Sequence, residues 1–244
     1  MSLIETLLKE LQNVGVHYIK NINSVMLEIL NDTQYKTTEI DRLIHDLISC
    51  LPHNNIKKIK LECPRNLLNH LKYTKAKMTI VGERIIFTKN MAMQQKFSSL
   101  YYEVWPLFAY RSISFLSEIM QKSFNDTEKF LIQMSEELPS QAEKMYTVYK
   151  INNEPIGVVF PHIEPRTDKE GRMFWIGIHP RYLGKKMGKD LHSIGLYRLK
   201  KDFKANSYLG ITQIDNYPMR KIMISNECIQ NKNTLISLDY ISKG

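Results

Sequence analysis

One stretch restricts the fold more than any other: Phe174-Trp175-Ile176-Gly177-Ile178-His179-Pro180-Arg181-Tyr182-Leu183-Gly184-Lys185-Lys186-Met187-Gly188-Lys189-Asp190-Leu191. Its first five residues are apolar and, Gly177 aside, bulky, the pattern of a buried strand. Pro180 stops that strand. Gly184 and Gly188 bracket a lysine-rich turn, and the spacing predicts a helix from about Lys185. On it Met187, Gly188, Leu191, Ile194, Gly195 and Leu199 share one side, while Lys185, Lys189 and Lys200 share the other. A strand that passes through a glycine turn into a helix N-terminus aims several backbone N–H groups at one point. The helix dipole adds to the pull on an anion there. Glycine suits the turn because a Cβ would keep a phosphate from the backbone.

The flanking sequence supplies further elements. Three apolar sets at helical spacing precede Leu51-Pro52: Ile4, Leu7, Leu8 and Leu11; Ile22, Val25, Met26 and Ile29; Ile40, Leu43, Ile44 and Leu47. Each predicts a helix. Ile56 to Cys63 reads as a strand ended by Pro64, Arg65 to Leu71 as a short helix, and residues 77–88 as a hairpin around Gly82. Met91 to Phe97 reads as a linker. Beyond it come a strand at Leu100 to Trp105 and a helix at Ser112 to Lys122. Asn125-Asp126-Thr127 can cap a second helix, Glu128 to Leu138. Two strands, 145–150 and 154–160, meet at Asn152-Asn153, a pair suited to positive φ. After the central stretch, Ser207 to Thr212 is a strand. Pro218 opens a helix carrying Met219, Ile222 and Met223, and Leu235 to Ile241 closes the chain as a strand.

The central stretch resembles the acyl-coenzyme A signature of the GNAT N-acetyltransferases. That pattern is an apolar strand, Val-x-Pro, and an Arg/Gln-x-x-Gly-x-Gly/Ala turn. Ile178-His179-Pro180 matches the first part, and Gly184 and Gly188 match two glycine places. Leu183 stands where Arg or Gln is usual, and Lys186 where glycine is usual. A second segment, Thr212-x-x-Asp215-Asn216-x-Pro218-Met219, resembles the family's later Asn-x-Pro-Met turn, which opens the helix beside the pantetheine arm. Asn216 inherits the hydrogen bond to that arm; an Asx turn capping the helix explains the same residues equally well. The two segments occur in the family's order.

The resemblance implies an α+β, three-layer GNAT acyl-CoA transferase fold: a mixed, mostly antiparallel sheet flanked by helices, spanning residues 93–244. Residues 1–92 then form an N-terminal accessory segment of helices and a small sheet, either a degenerate GNAT-like half or a helical cap. The implied reaction moves an acetyl group from acetyl-CoA to a primary amine by direct attack in a ternary complex. Ile176, Gly177 and Ile178 would offer backbone to the pantetheine, Leu183, Gly184, Lys185, Lys186, Met187, Gly188 and Lys189 would surround the diphosphate, and Asn216 and Met219 would flank the arm. Many family members place a Glu on the central strand, but residues 174–178 hold no acid. His162 and Glu164, ending the preceding strand, are the nearest candidates for a base. Tyr217 is a candidate acid.

A second reading stays open, a non-catalytic module that binds coenzyme A or uses its basic surface for nucleic acid or a protein. The net charge is +9, and Arg181 to Lys204 holds Arg181, Lys185, Lys186, Lys189, Arg198, Lys200, Lys201 and Lys204 against Asp190 and Asp202. That cluster suits a polyphosphate and also nucleic acid. Other classes find no motif: Gly-x-Gly-x-x-Gly, Gly-Lys-Ser/Thr and His-Glu-x-x-His do not occur. Cys50, Cys63 and Cys228 are odd in number and widely spaced, and the histidines lack ligand spacing, so neither a disulfide framework nor a metal site is expected. The N-terminus lacks a signal-peptide layout and no apolar run approaches the ~20 residues of a membrane span. A cytoplasmic protein is expected, monomer or homodimer.

Overall fold

A computed structural model of the chain describes residues 2–30, 36–51, 56–92 and 101–242. The chain forms two compact units, residues 1–86 with 231–244, and residues 87–230. The linker reading over 93–97 and the strand reading at Leu100 fall outside the described residues. Among the described residues, no helix is long and apolar enough to cross a membrane.

The first unit opens with helix α1 (Leu3–Asn13), whose start is fixed by a Ser2/Glu5 capping box. Strands β1 (His17–Lys20) and β2 (Ser24–Glu28) follow, then α2 (Thr37–Cys50), β3 (Lys58–Pro64), α3 (Arg65–Leu68), α4 (Lys72–Lys77) and β4 (Thr79–Asn90). The last strand, β10 (Ile229–Ile241), pairs antiparallel with β3 from Leu235↔Pro64 to Ile241↔Lys58. That pairing places residues 231–241 in the first unit, whereas the sequence suggested the end of the second. The strand order is β1-β2-β3-β10-β4. Ile4, Leu8, Leu11, Leu43, Ile44 and Leu47 pack against Val25, Leu27, Ile59, Leu61 and Leu238 in one core.

Two expectations fail here for local reasons. The helix expected around Ile22 to Ile29 is a β-hairpin. Val25, Leu27 and Ile29 are all fully buried, a period of two that the helical reading overlooked. Asn21 makes the turn, its Oδ1 accepting from the N–H groups of Asn23 and Ser24. The hairpin expected around Gly82 is a single strand, and Lys72–Lys77 is helical instead. Buried Asp41 accepts from the N–H groups of Tyr73 and Thr74 and from the Thr74 hydroxyl at 2.7 Å, which caps α4.

The second unit is a three-layer α+β arrangement. Its elements are β5 (Tyr102–Val104), α5 (Tyr110–Met120), α6 (Phe124–Glu137), β6 (Thr147–Ile151), β7 (Glu154–Ile163), β8 (Glu170–Ile178), α7 (Gly188–Lys201), β9 (Ser207–Gln213) and α8 (Tyr217–Ser225). Their strand order is β9-β8-β7-β6-β5. β5 through β8 are antiparallel, and β8 runs parallel to β9. Helices α5 and α6 cover one face through Ile113, Leu116, Leu131 and Met134 against Val148, Val158 and Phe160. Helix α7 covers the other through Leu191 and Ile194 against Tyr149, Ile156 and Val159. Asn152 and Asn153 both take positive φ, as the β6–β7 turn requires. Helix α6 begins before the expected Glu128, because Ser123 accepts from the Asp126 N–H and caps it.

Candidate active site

The parallel strands β8 and β9 pair at Glu170↔Ser207 and Gly171↔Tyr208 and, among the described residues, nowhere beyond. From there the two strands part. The consequence shows in burial: residues 172–178 are each half-buried, although β8 lies inside the sheet. The sequence suggested a fully buried strand. A β-bulge marks the parting. Val159 faces Ile176 and Pro161 faces Met173, so Phe174 and Trp175 together oppose Phe160. Such a bulge sharpens twist and turns the strand.

The edge of β8 that β9 leaves is chemically defined. The His179 N–H donates across to the Ile156 carbonyl at 2.9 Å. Alternation along the strand therefore directs the Ile176 and Ile178 N–H groups away from β7, toward the opening. An extended, amide-bearing ligand can bond there as an added strand would. Gly177 has a packing reason as well: a Cβ on it would sit 2.2 Å from the Trp175 ring.

The turn after β8 fits an anion. Gly184 has φ of +77° and Lys186 has φ of +62°. Lys186 thus adopts the left-handed backbone for which glycine is the usual residue. The first intrahelical bond of α7 runs from the Leu191 N–H to the Met187 carbonyl, and among the described residues no side chain caps the helix. The N–H groups of Gly188, Lys189 and Asp190 precede that bond and point outward. The helix begins at Gly188, later than the expected Lys185. A Cβ on Gly188 would lie 2.6 Å from Ile222 of α8, whereas a Cβ on Gly184 would meet open space. Gly188 lets two helices approach; Gly184 supplies a backbone shape. Leu183, Lys185, Lys186 and Lys189 are exposed around the turn, and the Lys185 ammonium lies 5.0 Å from the Tyr182 ring centre.

Two side chains given no role from the sequence hold the start of this turn. His179 is buried, and its Nδ1 accepts from the Arg181 N–H at 3.2 Å. Its Nε2 lies 3.0 Å from the Glu118 carboxylate on α5. Glu118 stands 61 residues away in sequence, so no local motif joins the two.

His162 and Glu164 come together. The His162 Nε2 lies 3.2 Å from Glu164 Oε2, and both residues are buried. A carboxylate only accepts, so the proton of the neutral ring resides on Nε2 and Nδ1 carries a lone pair. Among the described residues, His162 Nδ1 is buried without a hydrogen-bond partner. Arg172 supports the carboxylate at 3.6 Å and donates to Glu170 at 2.7 Å. His162 pairs across the sheet with Arg172. Its ring meets Phe174, a bulge residue, edge-on at 6.0 Å.

On α8, Asn216 Oδ1 accepts from the Met219 N–H at 3.2 Å, which is the capping role. Among the described residues its Nδ2 donates to no protein acceptor. Met219 is half-buried beside it, and Tyr217 is exposed, its ring 5.3 Å from the Arg220 guanidinium carbon. Beneath the turn lies a buried polar network absent from the sequence reading. Asn226 Nδ2 donates to His192 Nδ1 at 2.9 Å and to the Lys189 carbonyl at 3.0 Å, and the His192 Nε2 proton points to the Tyr208 hydroxyl at 3.0 Å. Burial, with the Lys89 charge adding, pushes the His192 pKa down to about 3. The network ties the first turn of α7 to the end of α8.

No family model matches the chain, and no curated protein matches it in sequence. Solved structures match its fold. A GCN5-related N-acetyltransferase from Kribbella flavida aligns with a TM-score of 0.60 at 8% identity, over 100% of this chain and 97% of that one. One from Sphaerobacter thermophilus aligns with a TM-score of 0.60 at 9% identity, over 93% and 76%. A tandem GNAT protein from the clavulanic acid biosynthesis pathway, in a structure without acetyl-CoA, aligns with a TM-score of 0.62 at 7% identity, over 91% and 76%. The fold of this chain is that of the GCN5-related N-acetyltransferases.

Proposed function

We propose that the protein is an N-acetyltransferase that moves an acetyl group from acetyl-CoA to a primary amine. The observation that carries this reading is the parting of β8 from β9 beside the outward amides of Ile176 and Ile178. The uncapped start of α7 lies at the C-terminal end of the same strand. In this reading the pantetheine lies along β8. The diphosphate rests on the N–H groups of the turn over 184–190, with Lys185, Lys186 and Lys189 adding charge. Asn216 and Met219 flank the arm.

The thioester is already activated, so the protein's work is placement and charge stabilisation. The amine attacks the thioester carbonyl, and the Ile176 N–H stabilises the oxyanion. His162 Nδ1 accepts the amine proton, with Glu164 holding the tautomer that leaves this lone pair available. The tetrahedral adduct collapses and the coenzyme A thiolate leaves, taking its proton from Tyr217. Transfer chemistry is assigned to the second unit and an accessory role to the first. In the first unit the parallel pair β2–β3 stays in register from Ser24↔Lys58 to Glu28↔Glu62.

The competing reading, a module that binds coenzyme A without catalysis, draws on the 4% exposure of His162. A screen of primary amines that reads free thiol release from acetyl-CoA separates the two. Release that depends on one class of amine supports transfer. Saturable binding of acetyl-CoA with no release across small amines, amino acids, peptides and lysine supports the module.

A further inference from the structure

We propose that Glu118 is a positioning residue for the anion turn and acts through His179. The inference rests on the reading that this turn binds the diphosphate of acetyl-CoA.

The turn itself has few restraints. Its residues from Leu183 to Lys186 are exposed, and two of them hold left-handed backbone. It hangs from the short 3-10 turn Pro180–Tyr182: the Leu183 N–H donates to the Pro180 carbonyl, and the Lys185 N–H to the Tyr182 carbonyl. That 3-10 turn is in turn capped by His179, whose Nδ1 accepts from the Arg181 N–H. The cap works in one tautomer alone. A proton on Nδ1 would set donor against donor and leave the Arg181 N–H without its acceptor. Glu118 selects the working tautomer, because its ionised carboxylate, 3.0 Å from Nε2, accepts a hydrogen bond and cannot donate one. The ring plane is set from the same helix: Phe115 of α5 stacks on His179 at 5.9 Å with planes 5° apart, and Tyr182 closes the edge at 6.0 Å.

Helix α5 therefore places the start of the anion turn. The Glu118 side chain is 51% exposed, so a bond there contributes little to global stability. What it fixes is the direction of a buried ring and, through that ring, the course of the backbone toward Gly184 and Lys186.

The test uses the full chain, coenzyme A as the probe, and three variants. Glu118→Ala removes the acceptor. Glu118→Gln keeps an oxygen that can accept from Nε2. His179→Phe keeps a ring against Phe115 but offers the Arg181 N–H no acceptor and Glu118 no donor. Calorimetric titration should show Glu118→Ala weakening coenzyme A by about tenfold, the worth of one hydrogen bond to a charged group. Glu118→Gln should stay within about twofold of wild type, and the thermal midpoints should coincide. His179→Phe should weaken binding as Glu118→Ala does, and it decides the matter if Glu118→Ala does not fold. Amide exchange at Arg181 should quicken in Glu118→Ala without ligand. Unchanged affinity in a folded Glu118→Ala, or a loss that glutamine fails to restore, overturns the proposal while wild-type binding leaves the proposed function standing. A wild type that does not bind coenzyme A overturns both.

Discussion

Lys186 and Gly184, two residues apart, hold the same left-handed backbone, with φ of +62° and +77°. The lysine thus departs from the GNAT pattern in residue type and keeps the conformation that a glycine there would serve. Left-handed backbone costs a non-glycine residue about 1–2 kcal/mol, partly offset by the smaller entropy lost relative to glycine. Lys186→Gly should therefore raise stability by up to ~1 kcal/mol in a denaturant titration, and Gly184→Ala should lower it by ~1 kcal/mol. A Lys186→Gly variant that is clearly less stable than wild type would show that the side chain supports the turn in some other way.

His162 and Glu164 can be separated from cofactor binding by kinetics. With an accepted amine, His162→Ala should lower kcat by about 10²–10⁴-fold, the usual contribution of a general base. Its affinity for acetyl-CoA should stay near that of wild type. Glu164→Gln should give a smaller loss. An undiminished kcat in His162→Ala removes the imidazole from the mechanism.

Asn216 has one atom accounted for and one available. Asn216→Asp preserves the oxygen that caps α8 and removes the Nδ2 donor, while Asn216→Ala removes both. The alanine variant should lose ~1 kcal/mol of stability, as N-cap deletions do. The aspartate variant should keep stability and bind acetyl-CoA more weakly. Equal binding by Asn216→Asp and wild type would leave this residue as a cap alone.

The buried His192 carries a pH signature. Its folded pKa lies at about 3, below the ordinary 6.5, because burial penalises the charged ring. As pH falls through 6.5 the unfolded chain takes up a proton that the folded chain refuses. Stability is complete above that point and declines toward pH 3, by about 1.4 kcal/mol per pH unit from this group. His192→Gln should lower stability at pH 7 and flatten this part of the profile. Parallel wild-type and variant profiles between pH 6.5 and 4 would contradict the assignment.

The residues that defined the fold in sequence were those with strong local rules. Asn152 and Asn153 announced a turn, Pro180 and Gly184 a break, and the Ile4 to Leu11 and Ile40 to Leu47 periods two helices, because these signals act within a few residues. Val25, Leu27 and Ile29 were misread because five apolar residues in eight, Ile22, Val25, Met26, Leu27 and Ile29, contain a helical spacing as well as an alternating one. The Asn21 turn that decides between them is made by a side chain. Helix α4 was missed since its cap, Asp41, arrives from another element. The site divides in the same way. The glycine turn and Asn216 are contiguous motifs and could be named. The Glu118–His179 pair and the His192–Asn226–Tyr208 network join residues far apart in the chain, and only the fold brings their atoms within hydrogen-bond distance. His162 and Glu164 lie between these extremes: near in sequence, yet the tautomer and the buried lone pair follow from geometry alone.

The central claim is that main-chain N–H groups at the start of α7, with the open edge of β8, receive a coenzyme A ester. Backbone amide resonances of 15N-labelled protein, followed during titration with coenzyme A, test it most directly. The account predicts saturable 1:1 shifts that are largest at Lys186 to Asp190 and at Ile176 and Ile178. Shifts concentrated elsewhere, or none at millimolar coenzyme A, would contradict it.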